Sequence, residues 1–327
     1  MHGELPNAAT LGQLSGQTEV TARIVPHGAR CPGSAAAGRA HPMDVLRTGV
    51  SGNGAARCPN RSITGPRARA RSLTSWSPRW DRCWRTGTTS AARGVRITVE
   101  TDDDSVGGHF LHLLHERAPK ASWVLAMNTS LILYAEHEFN ASTFAARVIA
   151  STGSDLYSCL VGGIGALRGP KHGGANEVAL EIQQRYENAA AAEADILARL
   201  AAREVIIGFG HPVYTIADPR HPLAKEVARQ LSRDIDDLKL FEVADRIEAV
   251  MWQQKKLFPN VDWFSAVLYH LLEIPVSMFT PLFVISRTHR LVGACAGTAR
   301  DNGKIVRPAA EYVGPAPRAY VSLHARR

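Results

Sequence analysis

WVLAMNTSLILYAEHEFNASTFAARVIAST, residues 123–152, decides the fold class. Apolar residues recur along it at helical spacing in two runs, Trp123–Phe139 and Ala141–Thr152, with Asn140 between them. Working outward, the same spacing returns in Leu111–Ala118, Glu177–Ala189, Ala191–Ala202, Leu223–Ile235, Leu240–Lys256 and Trp263–Ile274, punctuated by glycine, proline or asparagine. Alternating strand patterns are scarce, so the chain reads as mainly α.

At 327 residues and 45% hydrophobic content, the chain can bury a sizeable core and form two lobes of one functional unit. No apolar run approaches the roughly 20 residues that cross a bilayer, and the start lacks a basic-then-apolar leader pattern. The expectation is a cytoplasmic protein with no membrane partner. Five cysteines, Cys31, Cys58, Cys83, Cys159 and Cys295, are scattered and form no CxxC pair, which argues against a disulfide framework or a zinc site.

The net charge of +8 is local. Between Gly52 and Arg96 lie ten arginines, no lysine and one acid, Asp81, so the rest of the chain is close to neutral. Trp76, Trp80 and Trp84 interleave with those arginines and could stack on single-stranded nucleic acid, but Pro78 interrupts the helix and no known binding module is present. Nucleic acid is therefore not the expected partner.

Three short runs hold the residues suited to chemistry: KHGGANE (171–177), GFGHPVYTIADPR (208–220) and FPNVDW (258–263). Each of the first two sets one histidine in a glycine-flanked bend. A carboxylate such as Asp262 can take a weakly acidic proton from carbon beside a carbonyl only if a partner stabilises the enolate oxygen that forms. A neutral imidazole, His172, can do that, and a second, His211, can hydrogen-bond another carbonyl that becomes a hydroxyl. Gly208 and Gly210 leave room beside the main chain, and Arg220 is suited to gripping a carboxylate two-pronged. Plainer readings compete: either histidine as a turn residue, Asp262 as a helix cap, Arg220 as a surface residue. His109, His112 and His115 share a helical face without the cysteines or carboxylates that would complete a metal site.

In this order the three runs resemble the citrate synthase family, with wording nearest its 2-methylcitrate synthase branch. The resemblance runs from about Val99 to Arg287 and takes in DDDSVGGHFLHLLHERAP, LILYAEHEFNASTFAARVIASTGSDLYS, GGIGALRGPKHGGANEVAL, KKLFPNVDWFSAV and FTPLFVISR. HGELP at residues 2–6 and HPMDVLRTGVS at 41–51 belong to the same pattern. It implies a large helical domain (1–173 and 274–327) interrupted by a smaller helical domain (174–273) that closes over oxaloacetate. It also implies an acyltransferase that condenses propionyl-CoA, or alternatively acetyl-CoA, with oxaloacetate and then hydrolyses the thioester. Asp262 would be the base, His172 the group stabilising the enol, and His211 the group polarising the keto carbonyl. His137, Arg220 and Arg287 would bind oxaloacetate, together with Arg307 supplied by the second subunit of a homodimer. Gly208, Phe209 and Gly210 would lie along the CoA substrate, with no permanently bound cofactor and no metal.

The chain also departs from the family. Family-like wording stops at Ser51 and resumes near Val99, and it breaks again at THRLVGACAGTAR, residues 288–300. Both tracts are expected to be read in a shifted frame of a G+C-rich gene and to lack a packed apolar face. Residues 13–40 also fit poorly, and the chain is expected to begin after the family's first helices. The alternative from another class is a catalytically impaired homologue serving as a dimerisation partner or an Arg/Trp nucleic-acid binder.

Overall fold

Capping side chains set five of the described helix starts. Ser105, Asn140, Asp155, Asn188 and Asn260 each accept a hydrogen bond from a backbone N–H of the following first turn. The computed structural model describes residues 41–57, 101–300, 304–314 and 316. Its helices are α1 (Pro42–Arg57), α2 (Val106–His115), α3 (Ala121–Ala135), α4 (Ala141–Ser151), α5 (Leu156–Leu167), α6 (Ala175–Gln183), α7 (Ala189–Ala201), α8 (His221–Asp234), α9 (Lys239–Lys255), α10 (Val261–Leu271) and α11 (Phe279–Arg300). Among the described residues there is no β-strand, only an antiparallel bridge between Phe209 and Pro259.

Two packing groups follow from the apolar faces. Helix α11 lies against α3, α4 and α5, and α1 lies on α5. Helix α10 lies against α6, α8 and α9, and α8 also reaches α3. Helix α10 is buried nearly all round: Trp263, Phe264, Val267, Leu268 and Tyr269 are all enclosed, so it is the central rod of its group. The Trp263 indole N–H donates to the Ala244 carbonyl at 3.1 Å, and Gln183 Nε2 donates to the Trp263 carbonyl at 2.8 Å, fixing α9 and α6 to that rod. The first turn of α10 carries Asp262, and α3 runs beside the helix, its Tyr134 at Asp262 and its Ser130 at Tyr269.

The structure corrects three expectations. Helix α3 stops at Ala135 instead of running to Phe139, because Asn140 turns back: its backbone N–H and its Nδ2 both donate to the His137 carbonyl, at 3.2 and 2.9 Å. His137 therefore sits in a bend, beside Glu138 at φ 43. The apolar run Glu177–Ala189 is likewise interrupted, because Asn188 caps α7. Residues 288–300, expected to lack a packed face, continue α11 and bury Leu291, Val292, Ala294 and Cys295. Small residues make this possible: Leu291 fits against Gly163 of α5, and Cys295 against the Ala146 carbonyl of α4. In the Arg-rich tract, residues 52–57 complete α1; the rest of it, with Trp76, Trp80 and Trp84, lies outside the described residues, as do residues 13–40.

Candidate active site

Asn260, and not Asp262, caps α10: its Oδ1 accepts from the Asp262 N–H at 3.1 Å. The Asp262 side chain is thus released from capping while standing in the first turn, where the helix field favours negative charge. Tyr134 of α3 donates its hydroxyl to Asp262 Oδ1 at 2.6 Å. Burial outweighs this hydrogen bond and the nearby Arg220 and Arg287 guanidinium groups, and raises the Asp262 carboxyl to about 6. At neutral pH it is ionised, yet a better proton acceptor than an ordinary aspartate.

A short latch carries His211 to this helix end. Gly210 N–H donates to the Phe258 carbonyl at 2.8 Å, Asn260 N–H to the Gly208 carbonyl at 2.9 Å, and Asn260 Nδ2 to the Gly210 carbonyl at 3.3 Å. Gly208 holds φ +101, and a Cβ there would meet Trp263 Cε3 at 2.5 Å. The close approach that the sequence offered to a ligand at Gly208 is taken up by Trp263, on which the Phe209 ring also packs, centroids 4.6 Å apart.

The backbone dictates the proton positions of His211 and His172. His211 Nδ1 accepts from Val213 N–H and Tyr214 N–H at 3.0 and 3.1 Å, so the neutral ring carries its proton on Nε2. Burial lowers its pKa, opposed by Asp218 and assisted by Arg220. The Nε2–H faces His137 Nε2 at 2.9 Å, which makes that nitrogen the acceptor. His172 Nε2 accepts from the Ser142 N–H at 3.3 Å and lies 3.0 Å from the Ser142 hydroxyl, leaving its proton on Nδ1. Burial, with Arg287 and His137 adding to it, lowers His172 to about 4, so it is neutral across the physiological range. His172 is itself held in a tight bend: its N–H donates to the Gly169 carbonyl at 3.0 Å and its carbonyl accepts from Ala175 N–H at 3.2 Å.

Positive charge is concentrated opposite these rings. Arg220 forks onto Asp218, Nε to Oδ1 at 2.9 Å and Nη2 to Oδ2 at 2.7 Å. Asp218 is 1% exposed; burial works against its ionisation, but Arg220 holds its carboxyl below the usual range. The Asp218 Oδ2 also accepts from Val261 N–H at 3.2 Å, which joins the arginine to the start of α10. Arg287, also 1% exposed, donates Nε to the Tyr134 carbonyl at 2.8 Å, while its buried Nη1 has no hydrogen-bonding partner among the described residues. Burial and Arg220 pull Arg287 down to about 10. Burial, then Arg220, His211 and Arg287, lower His137 to about 4. Tyr214 stacks on His137 at 5.2 Å and lies under the Arg220 guanidinium at 5.8 Å.

His137, His172, His211, Arg220, Asp262 and Arg287 therefore share one electrostatic neighbourhood. Arg307 does not join it within this chain: it is exposed, with Nε 3.4 Å from the Pro308 carbonyl. Tyr134 and Ser142 were missed from sequence. Tyr134 closes the apolar run Leu131–Tyr134 and reads as one more core residue of its helix, whereas Asn140-Ala-Ser-Thr had the signal of a helix start. His109, His112 and His115 diverge, to Thr101 at 2.8 Å, Asp103 at 2.8 Å and the Leu272 carbonyl at 3.0 Å. The site thus offers one carboxylate able to act as a base, two imidazole N–H donors for carbonyl oxygens, and two guanidinium groups for carboxylates, the buried Arg287 and the half-buried Arg220.

Comparison with known proteins gives the same direction. The profile of the family described as citrate synthase, C-terminal domain, matches residues 1–309. The 2-methylcitrate synthase of Shewanella oneidensis is 44% identical over 330 residues, covering 99% of this chain and 84% of the relative. Citrate synthase 2 of Bacillus subtilis is 36% identical, covering 99% of this chain and 87% of the relative. Among solved structures, the citrate synthase of Thermoplasma acidophilum in ternary complex with carboxymethyl coenzyme A and oxaloacetate superposes with a TM-score of 0.84 at 27% identity, covering 99% of this chain and 86% of that one.

Proposed function

This chain belongs to the citrate synthase family, enzymes of the acyltransferase type, and from that premise we propose that it condenses propionyl-CoA with oxaloacetate and water to give 2-methylcitrate and CoA. The observation that carries the reading is that Arg287 acts on Asp262, His172 and His137 alike and His137 meets His211 at 2.9 Å, while the backbone fixes the N–H positions of His172 and His211.

In this reading the Asp262 carboxylate takes a proton from the acyl carbon next to the thioester carbonyl, and His172 Nδ1–H meets the oxygen on which negative charge develops. The enol carbon then attacks the keto carbon of oxaloacetate. The keto oxygen, becoming an alkoxide, takes the proton of His211 Nε2–H. His137, Arg220 and Arg287 hold the oxaloacetate carboxylates, and the unpartnered Nη1 of Arg287 supports this, since a buried guanidinium N–H calls for an anion. Water then cleaves the thioester and releases CoA. Carbonyl oxygens are met by imidazole N–H groups, so the scheme calls on no bound cofactor or metal ion.

Three further parts belong to the same reading. Residues 174–273 act as the smaller domain, closing over the larger to exclude water from the enol. The enzyme works as a homodimer, in which a second copy supplies its Arg307; the exposed position of that residue here supports this. The segment Gly208–Gly210 borders the CoA path. Among the described residues no helix is long and apolar enough to cross a membrane, which supports a cytoplasmic setting.

Acetyl-CoA is the second substrate to consider, because relatives such as citrate synthase 2 of Bacillus subtilis span the chain equally well. One methylene in an apolar pocket discriminates by about 1–3 kcal/mol, so both acyl groups should react at different rates. The test is kcat/KM for each acyl-CoA at saturating oxaloacetate, with the product identified by mass. A ratio above 1 for propionyl-CoA and a 2-methylcitrate product are expected; a ratio below 1 would assign the chain to acetyl-CoA.

A further inference from the structure

We propose that Tyr134 is a positioning residue for the base: its hydroxyl holds Asp262 Oδ1 so that Oδ2 takes the substrate proton, while its carbonyl holds the Arg287 guanidinium. The inference rests on the assignment of Asp262 as the base.

Tyr134 is fully enclosed, and its ring meets Phe283 edge-on at 4.5 Å, so it cannot swing away from the carboxylate without opening the core. Burial, reinforced by the Asp262 charge, pushes the phenol well above its usual range, so it remains a donor throughout the working pH. The donated bond is 2.6 Å, the length of a charge-assisted O–H to carboxylate contact. The other groups acting on Asp262 are Arg220 and Asp218 from the loop and Arg287 from α11; these act through charge, and Tyr134 supplies the hydrogen bond. One oxygen held and one released turns a symmetric carboxylate into a directed base. The same residue's backbone, through Arg287, ties the proton-accepting end of the site to the end that grips oxaloacetate.

The test reads Asp262 directly, by carboxyl carbon-13 NMR of the full chain labelled at aspartate, with Asp262→Asn identifying the resonance. Tyr134→Phe keeps the ring on Phe283 and removes the hydroxyl. It should raise the Asp262 midpoint by about one pH unit, the loss of one hydrogen bond to a charged group. Tyr269→Phe, which removes an equally buried hydroxyl bonded to Ser130 at 2.6 Å, should leave the midpoint in place. An unmoved midpoint in Tyr134→Phe, or equal movement in both variants, overturns the proposal. If Tyr134→Phe does not fold, fluorotyrosine in the wild-type chain replaces it: the stronger donor should lower the midpoint, and no movement overturns the proposal. The acid limb of kcat/KM should follow the NMR midpoint from variant to variant. A midpoint that moves while the limb stays would instead refute Asp262 as the base, which separates the two failures.

Discussion

His137 and His211 meet nitrogen to nitrogen, Nε2 to Nε2 at 2.9 Å, and the backbone decides which of the two brings the proton. Because Val213 and Tyr214 N–H groups occupy His211 Nδ1, His211 is the donor and His137 the acceptor. The same donor is the one assigned to the keto oxygen. His211→Ala should therefore lower kcat by about a hundredfold or more, the usual cost of losing an oxyanion donor, with little change in thermal stability. Steady-state kinetics beside a melting curve checks both halves; full activity in the variant would refute the role.

The pH dependence should show an acid limb near 6 set by Asp262. His137 and His172, both lowered to about 4, stay neutral above that limb and add none of their own. Since the base must be ionised, kcat/KM should fall about tenfold per unit below the limb. A limb near 4 would contradict the buried environment assigned to the carboxyl.

The same shift has a consequence for stability. A carboxyl whose folded pKa is raised contributes most when protonated, so its contribution is complete below about pH 4 and lost as pH rises through about 6. Asp262→Asn should thus be more stable than wild type at pH 7, by on the order of 1–3 kcal/mol, and the two should converge near pH 4. Chemical denaturation at both pH values measures this.

Arg220 is oriented by a fork that lysine cannot reproduce. Arg220→Lys keeps the charge but loses the paired contact with Asp218, and should raise the KM for oxaloacetate about tenfold while leaving that for the acyl-CoA nearly unchanged. Asp218→Ala goes further: it strands the arginine and the Val261 N–H, and should cost about 3 kcal/mol of stability. Equal rises in both KM values would point to general loosening instead.

Gly208→Ala tests the latch. At φ +101, with Trp263 2.5 Å from the added carbon, the substitution should cost about 2–4 kcal/mol and reduce kcat by displacing His211. A variant of wild-type stability would show that the loop relaxes freely.

How much of this was legible follows from where the information sits. His172, His211 and Asp262 stand in short runs with glycines or a cap beside them, and local bends leave local marks in a sequence. The helices of residues 123–152 were equally plain, apart from the last turn, where Asn140 takes the His137 carbonyl back. Tyr134 was invisible because its meaning lies in a partner 128 residues away. Residues 288–300 misled because Ala, Gly, Cys and Thr form no conspicuous apolar stripe, although small residues are what a close approach to Gly163 and the Ala146 carbonyl requires.

The central claim is that Asp262 removes the proton in an oxaloacetate-dependent condensation. Its most direct test is the release of free CoA thiol from propionyl-CoA, with and without oxaloacetate, by purified wild type and by Asp262→Asn. The account predicts release that requires oxaloacetate and falls by about a thousandfold or more in the variant, with the fold retained. Release that is undiminished in a folded Asp262→Asn protein, or that proceeds without oxaloacetate, would contradict it.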